Sequence, residues 1–227
     1  NTSVTFNLPS LAGQSNVKFK WNYFDDAIGS YMWGIDDVEL FDNGNSWTGV
    51  TSTDWFTVTN WAKGSLPTNT ENVIIPSTAP NQPAINGAGT AVCLDVYIQS
   101  GASLTMSATT GYTLSVSGDW TNSGTFNRGI GTIDFNGSNA LQQIKGASTT
   151  DFQNLKVTKG SINNILEAIS LVTLNAASNP LVITSGTFKL SSASTITPFT
   201  SQSGAELTSS KCLWNNGGTI NYGNFSW

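Results

Sequence analysis

The sequence predicts an all-β protein in which the end of a β-sandwich leads into a parallel β-solenoid. Charged residues make up only 10% of the 227, and Gly, Ser, Thr and Asn crowd the segments between apolar residues. β-branched and aromatic residues suit pleated strands, and the small polar ones suit bends. Apolar residues alternate in short runs, the period of a strand with one buried face. From about residue 91 a small-Gly-[Thr/Ala]-x-apolar element recurs, as SGASL (100–104), SGTF (123–126), IGTIDF (130–135), SGTFKL (185–190), SGAEL (203–207) and GGTINY (217–222).

Residues 1–42 carry three strand signals: VTFNL (4–8), NVKFKWNYF (16–24) and IDDVELF (35–41). Three strands leave exposed edges and close no core, so they read as the end of a larger sandwich. FDNGNS (41–46) is a turn cluster and a boundary. Residues 43–90 form a Trp-rich linker or cap, and 91–227 the solenoid.

Within the solenoid the inward candidates are Val92, Leu94, Val96, Ile98; Leu114, Val116; Ile133, Phe135; Leu155, Val157; Leu171, Leu174; Leu181, Ile183; and Phe188, Leu190. The Gly elements keep uneven time, with steps of 23 (101 to 124), 18 (186 to 204) and 14 (204 to 218). Rungs of a solenoid tolerate such differences in loop length. A hairpin-built sandwich is the rival, but Asn-Gly and Asp-Gly turns are scarce where its strand pairs should meet. INNILEAISLVTL (162–174) comes nearest to a helical period, yet its β-branched content favours strand. Roughly seven rungs at ~4.8 Å each make a rod of ~35 Å.

Net charge is −5, and the nine Lys and Arg are unclustered, which argues against nucleic acid and against an anionic membrane surface. No apolar run reaches the ~20 residues of a spanning helix. Residues 1–20 lack the pattern of a signal peptide, so any export signal has been removed or lies elsewhere. Cys93 and Cys212, the only cysteines, read as free packed thiols, since a disulfide-stapled scaffold carries more. The chain has no His, so Ser and Cys lack their usual activating base.

Asp36 and Asp37 interrupt the alternation of GIDDVELF, the mark of a β-bulge. The bulge is either a solvated edge or a structural calcium site, carboxylates being calcium's preferred ligands. Asp95, Asp119 and Asp134 sit beside inward residues and should face outward. Stacked carboxylates are one way for a β-helix to cleave polysaccharide, but no Arg or His accompanies them. TVT (57–59) and TIT (195–197) do not recur once per rung as an ice-binding face requires.

In WTGVTSTDWFTVTNWAKGSLP (47–67), Trp47, Trp55 and Trp61 fall within fifteen residues. A buried indole removes ~150–250 Å² from water, enough to seal the open end of a coil. A lid points the indoles at Val73, Ile74 and Ile75; a sugar-stacking platform holds them coplanar and open to solvent. Their place between a sandwich end and a coil that needs closing favours the lid.

The pattern W-T-G-x-x-S-T-D-W-x-x-x-x-N-W-x-x-G-x-L-P-T, then NVIIP, resembles the segment that opens β-solenoid stalks in large secreted and surface proteins of Bacteroidetes. GYTLSVSGDWTNSGTF, GTIDFNGSNALQQIKG and NPLVITSGTFKLSS are similar to the continuation of those stalks, so the likeness spans 46–227. YMWGIDDVELF resembles the closing strands of jelly-roll domains of the cleaved-adhesin and MAM-like kind. The resemblance implies a right-handed solenoid and export by a type IX secretion system. It also implies an extracellular or cell-surface place, and roles in adhesion, gliding or polysaccharide handling. Calcium near the DDV strand is implied too, with Asp36 and Asp37 the only positions that match. The expected function is a non-enzymatic stalk presenting an adhesive domain, with secretion machinery as partner during export. The alternatives are a carbohydrate-binding module using Trp47, Trp55 and Trp61 on extracellular polysaccharide, or a polysaccharide-degrading β-helix enzyme.

Overall fold

A computed structural model describes residues 44–87, 89–174, 180–198 and 210–220. The expected sandwich strands of 1–42, with Asp36 and Asp37, lie outside the described residues.

The chain winds as a three-sided coil. After β1 (Gly44–Ser46), the first complete turn is β2 (Asn72–Ile75), β3 (Ala84–Ile85) and β4 (Ala91–Cys93). The second is β5 (Val96–Ile98), β6 (Ser103–Met106) and β7 (Thr113–Val116); the third is β8 (Trp120–Asn122), β9 (Thr125–Asn127) and β10 (Thr132–Phe135). The fourth is β11 (Leu141–Lys145), β12 (Thr150–Asp151) and β13 (Asn154–Thr158). The fifth is β14 (Ile165–Ala168), β15 (Val172–Thr173) and the first half of β16 (Leu181–Leu190). The second half of β16 then opens a turn with β17 (Thr195–Ile196), and β18 (Lys211–Asn215) and β19 (Thr219–Ile220) stack beyond it. About six turns at ~4.8 Å each give ~29 Å of stacked backbone, slightly less than the length expected. Among the described residues every pairing between these strands is parallel, and an isolated antiparallel bridge joins Trp47 to Trp61. Among the described residues there is no α-helix, and the segment 162–174 holds two short strands, β14 and β15, joined by a corner.

The first face keeps even time. Its register column runs Val73, Val96, Trp120, Ile144, Ala168, Leu190, Asn215, in steps of 23, 24, 24, 24, 22 and 25 residues. The Gly element obscures this period because its copies fall at different corners. SGASL, SGTF and residues 217–220 turn the chain from the first face to the second, IGTIDF from the second to the third, and SGTFKL runs from the third back to the first inside β16, while SGAEL lies outside the described residues. At Gly124 the corner is so tight that a Cβ would lie 2.3 Å from Ala102 O.

The core is one apolar column system running through the coil. Ala91, Leu114, Ile133, Leu155 and Leu181 stack in register on the third face, with Cys93, Val116, Phe135, Val157 and Ile183 beside them. Most expected inward residues are buried, with three corrections. Ala91 and Cys93 point inward in place of Val92 and Leu94, because a corner between β4 and β5 resets the alternation. Leu171 is 49% exposed at another corner, and Val172 takes the inward place.

Candidate functional site

The stacking begins within the segment read as linker or cap, since β1 pairs with β2 and β2 with β5. Residues 47–67 fold over the first turn. Trp47, Trp55 and Trp61 are 1%, 1% and 2% exposed and belong to one cluster with Val73, Ile75 and Ile85. Trp61 stands edge-on to both neighbours, with interplanar angles of 83° to Trp47 and 78° to Trp55. Edge-to-face pairs add ~0.5–1.5 kcal/mol beyond burial. The indoles are neither coplanar nor open to solvent, so the geometry is that of the lid and not of the sugar platform. Both outer indoles of the chain segment are also tied to backbone: Trp47 Nε1–H donates to Asn81 O at 2.6 Å, and Trp61 Nε1–H to Trp55 O at 2.8 Å.

Asparagines organise this cap. Buried Asn60 accepts the N–H groups of Thr51 and Ser52 on Oδ1 and donates from Nδ2 to Ser52 Oγ and Asp54 O. Buried Asn45 accepts Lys63 N–H and donates to Ser65 O. Asn81 donates to Gly49 O, and Gly49, at φ +59, packs so closely that a Cβ would meet Asn81 O. Of these, Asn60 precedes a Trp and Asn45 lies in the turn cluster 41–46, while Asn81 carried no sequence signal.

Asp95 and Asp119 are part-exposed, as expected of outward residues, whereas Asp134 is buried at 8% exposure; each is engaged. Asp95 Oδ1 accepts the Asp119 N–H at 2.6 Å, and Asp119 Oδ1 accepts the Gln143 N–H at 2.8 Å. Tyr97 OH donates to Asp95 Oδ2, and Lys145 Nζ lies 2.5 Å from Asp119 Oδ2. Burial raises the Asp95 pKa, against the opposing pull of the Asp119 N–H and the Tyr97 hydroxyl. Asp134 pairs with Lys156 at 2.9 Å while its buried Oδ1 has no hydrogen-bond partner. Glu167 pairs with Lys189 at 2.9 Å and accepts Ser191 Oγ–H, which together hold its pKa below the usual value. Lys189 in turn sits 4.5 Å over the ring of half-exposed Trp214. Carboxylates held this way tie one turn to the next.

Among the described residues no group of three or more His, Cys, Asp or Glu could hold a metal ion. Cys93 and Cys212 are both free, and burial pushes the Cys93 thiol pKa up. A shallow depression of about 380 Å³ lies at the first-to-second-face corner, where Ile169 and Leu171 project beside Ser148 and Ser192. No charged side chain lines it.

A second buried polar group went unread in the sequence. Lys159 is 2% exposed, and its Nζ donates to Gly137 O and Gln142 Oε1, both at 2.8 Å. Gln142, 1% exposed, donates from Nε2 to Val116 O at 2.9 Å and also to Gly118 O. Burial lowers the Lys159 pKa to about 8, with the Asp119 charge acting in the opposite direction.

Residues 46–150, just under half of the chain, match the family model of a domain of unknown function (DUF8693). That span starts in β1 and ends in β12, so it takes in the tryptophan cap together with the first turns of the coil. No curated protein and no solved structure matches the chain.

Proposed function

We propose that the chain is a non-enzymatic stalk of an exported protein, a stiff low-charge spacer that holds an adhesive jelly-roll module away from a bacterial surface. One observation carries the reading: an uninterrupted parallel register from β1 to β18 on the first face, closed at its start by three buried tryptophans. On the first face each described strand pairs with the next, and side-chain ladders such as Asp95–Asp119–Gln143 add further ties between turns. A rod of this kind resists bending because each turn is held by both neighbours. Type IX export, surface display and structural calcium at Asp36 and Asp37 belong to the same proposal, and rest on the resemblance of 46–227 and of YMWGIDDVELF.

Single-molecule pulling on the whole chain, tethered at its ends, tests the reading. A spacer should yield only at high force and in steps of about one turn each. Unravelling at the low forces of a loosely held chain would overturn it. A glycan array separates the alternative: saturable sugar binding, lost with Trp214→Ala on the outer face, would replace a pure spacer with a carbohydrate-binding module.

A further inference from the structure

The corner between the third and first faces changes from turn to turn. It spans 94–95, then 117–119, 136–140 and 159–164, and disappears where β16 passes straight through. Gln142 and Lys159, both buried, lie beside the two longest of these loops. Their carboxamide and ammonium are met by three backbone carbonyls, those of Val116, Gly118 and Gly137, and by each other. Gly186, at φ +101, closes over the lysine; a Cβ there would lie 2.8 Å from Lys159 Cβ. On every later turn in register with Gln142 the residue is apolar: Leu166, Phe188, Leu213.

We propose that Gln142 and Lys159 form a register lock, a buried polar pair that fixes which turn of the coil stacks on which. Three successive steps of 24 residues leave the alternation of inward and outward positions the same from one turn to the next. If one turn looped out, Val, Ile and Leu side chains would still find the core, so hydrophobic alternation does not tell one turn from the next. The polar pair does. With the third turn looped out, Lys159 would lose Gly137 O, and Gln142 would lose Val116 O and Gly118 O, leaving a buried charge short of acceptors. Burying an unmet charge or amide is costly enough to reject such a stack. Single buried polar residues fix register in coiled coils by the same physics. The lock would serve a spacer, yet its operation does not depend on that role.

The test is the double variant Gln142→Leu, Lys159→Met in the whole chain, beside the single variant Lys159→Met. The single variant strands Gln142 Oε1 and Gly137 O and should melt below the wild type. The double variant should fold with a midpoint at or above the wild type, while amide exchange followed by mass spectrometry splits into two populations across β7–β14. A double variant with one population and the wild-type exchange pattern would overturn the lock, because register would then be set elsewhere. A double variant that does not fold would overturn it as well, since the pair would then supply stability in place of specificity. A single variant as stable as the wild type would show that the carbonyl contacts are not made.

Discussion

Asp119 stands one turn beyond Asp95, and the two are linked directly: the backbone N–H of Asp119 donates to Asp95 Oδ1 at 2.6 Å. Asp119 then repeats the bond toward Gln143 at 2.8 Å. Each carboxylate accepts a backbone N–H from the next turn of the first face, that of Asp119 just before β8 and that of Gln143 within β11. Asp119→Ala should therefore destabilise the fold by ~1–3 kcal/mol, leaving the Gln143 N–H unmet. Asp119→Asn keeps an acceptor and loses only the partly exposed pair with Lys145, so it should cost ~1 kcal/mol or less. Urea unfolding of both variants separates the two effects. Equal losses would show that the ion pair, and not the cap, is what matters.

The lid makes a larger claim on stability. Trp61→Ala removes a buried indole in contact with two others and should cost ~3–5 kcal/mol. Trp61→Phe keeps most of the apolar area but strands Trp55 O, for a loss nearer ~1–2 kcal/mol. Denaturant midpoints report both. Dye binding to exposed apolar surface should rise in the Ala variant, as the first turn at Val73 and Ile75 opens.

Lys159 gives the coil a pH signature. Its folded pKa is lowered to about 8, against ~10.4 in an unfolded chain. Between those values the unfolded state binds more protons than the folded one, so stability rises with pH across that window. The penalty of burying the charge is fully present below about pH 8 and is relieved as pH approaches the unfolded value. The gain is at most ~3 kcal/mol at ~1.4 kcal/mol per pKa unit. Lys159→Met should flatten this slope between pH 8 and 10.5; a slope unchanged in the variant would assign it to another group.

The two thiols should differ sharply in reactivity. Cys93 is fully buried with a raised pKa, while Cys212 is partly exposed. A thiol reagent added to the native protein should label one cysteine, and two after denaturation. Rapid labelling of both in the native state would show that the third face opens at β4.

Gly137 has the tightest surroundings of the corner glycines, with an added Cβ only 1.8 Å from Ser117 O. Gly137→Ala must push the corner outward and disturb the carbonyl that Lys159 uses, so a loss of ~2–4 kcal/mol is expected. Thermal unfolding measures it, and a neutral result would mean that the loop 136–140 yields freely.

Much of this was legible in one dimension. The short alternating runs and the scarcity of charge settle an all-β chain with most of its inward residues, because pleat geometry alternates faces whatever the neighbours do. The lid was legible too, since three indoles ahead of the first rungs have apolar surface to bury and nowhere else to bury it. The 24-residue step was partly visible between Asp95 and Asp119, but the Gly element masked it by marking three different corners. Corner residues were misjudged for the same reason: alternation resets wherever the chain turns, as at Val92 and Leu171.

Only the stacked structure decided which turns pair, that the indoles lie edge to face, and that the outer carboxylates engage neighbours one turn away. It alone brought Gln142 and Lys159 together, seventeen residues apart, under a corner whose loop lengths differ from turn to turn. Local sequence determines which way each side chain points. The partners it meets belong to other turns, and depend on loop lengths and stacking that no local pattern encodes.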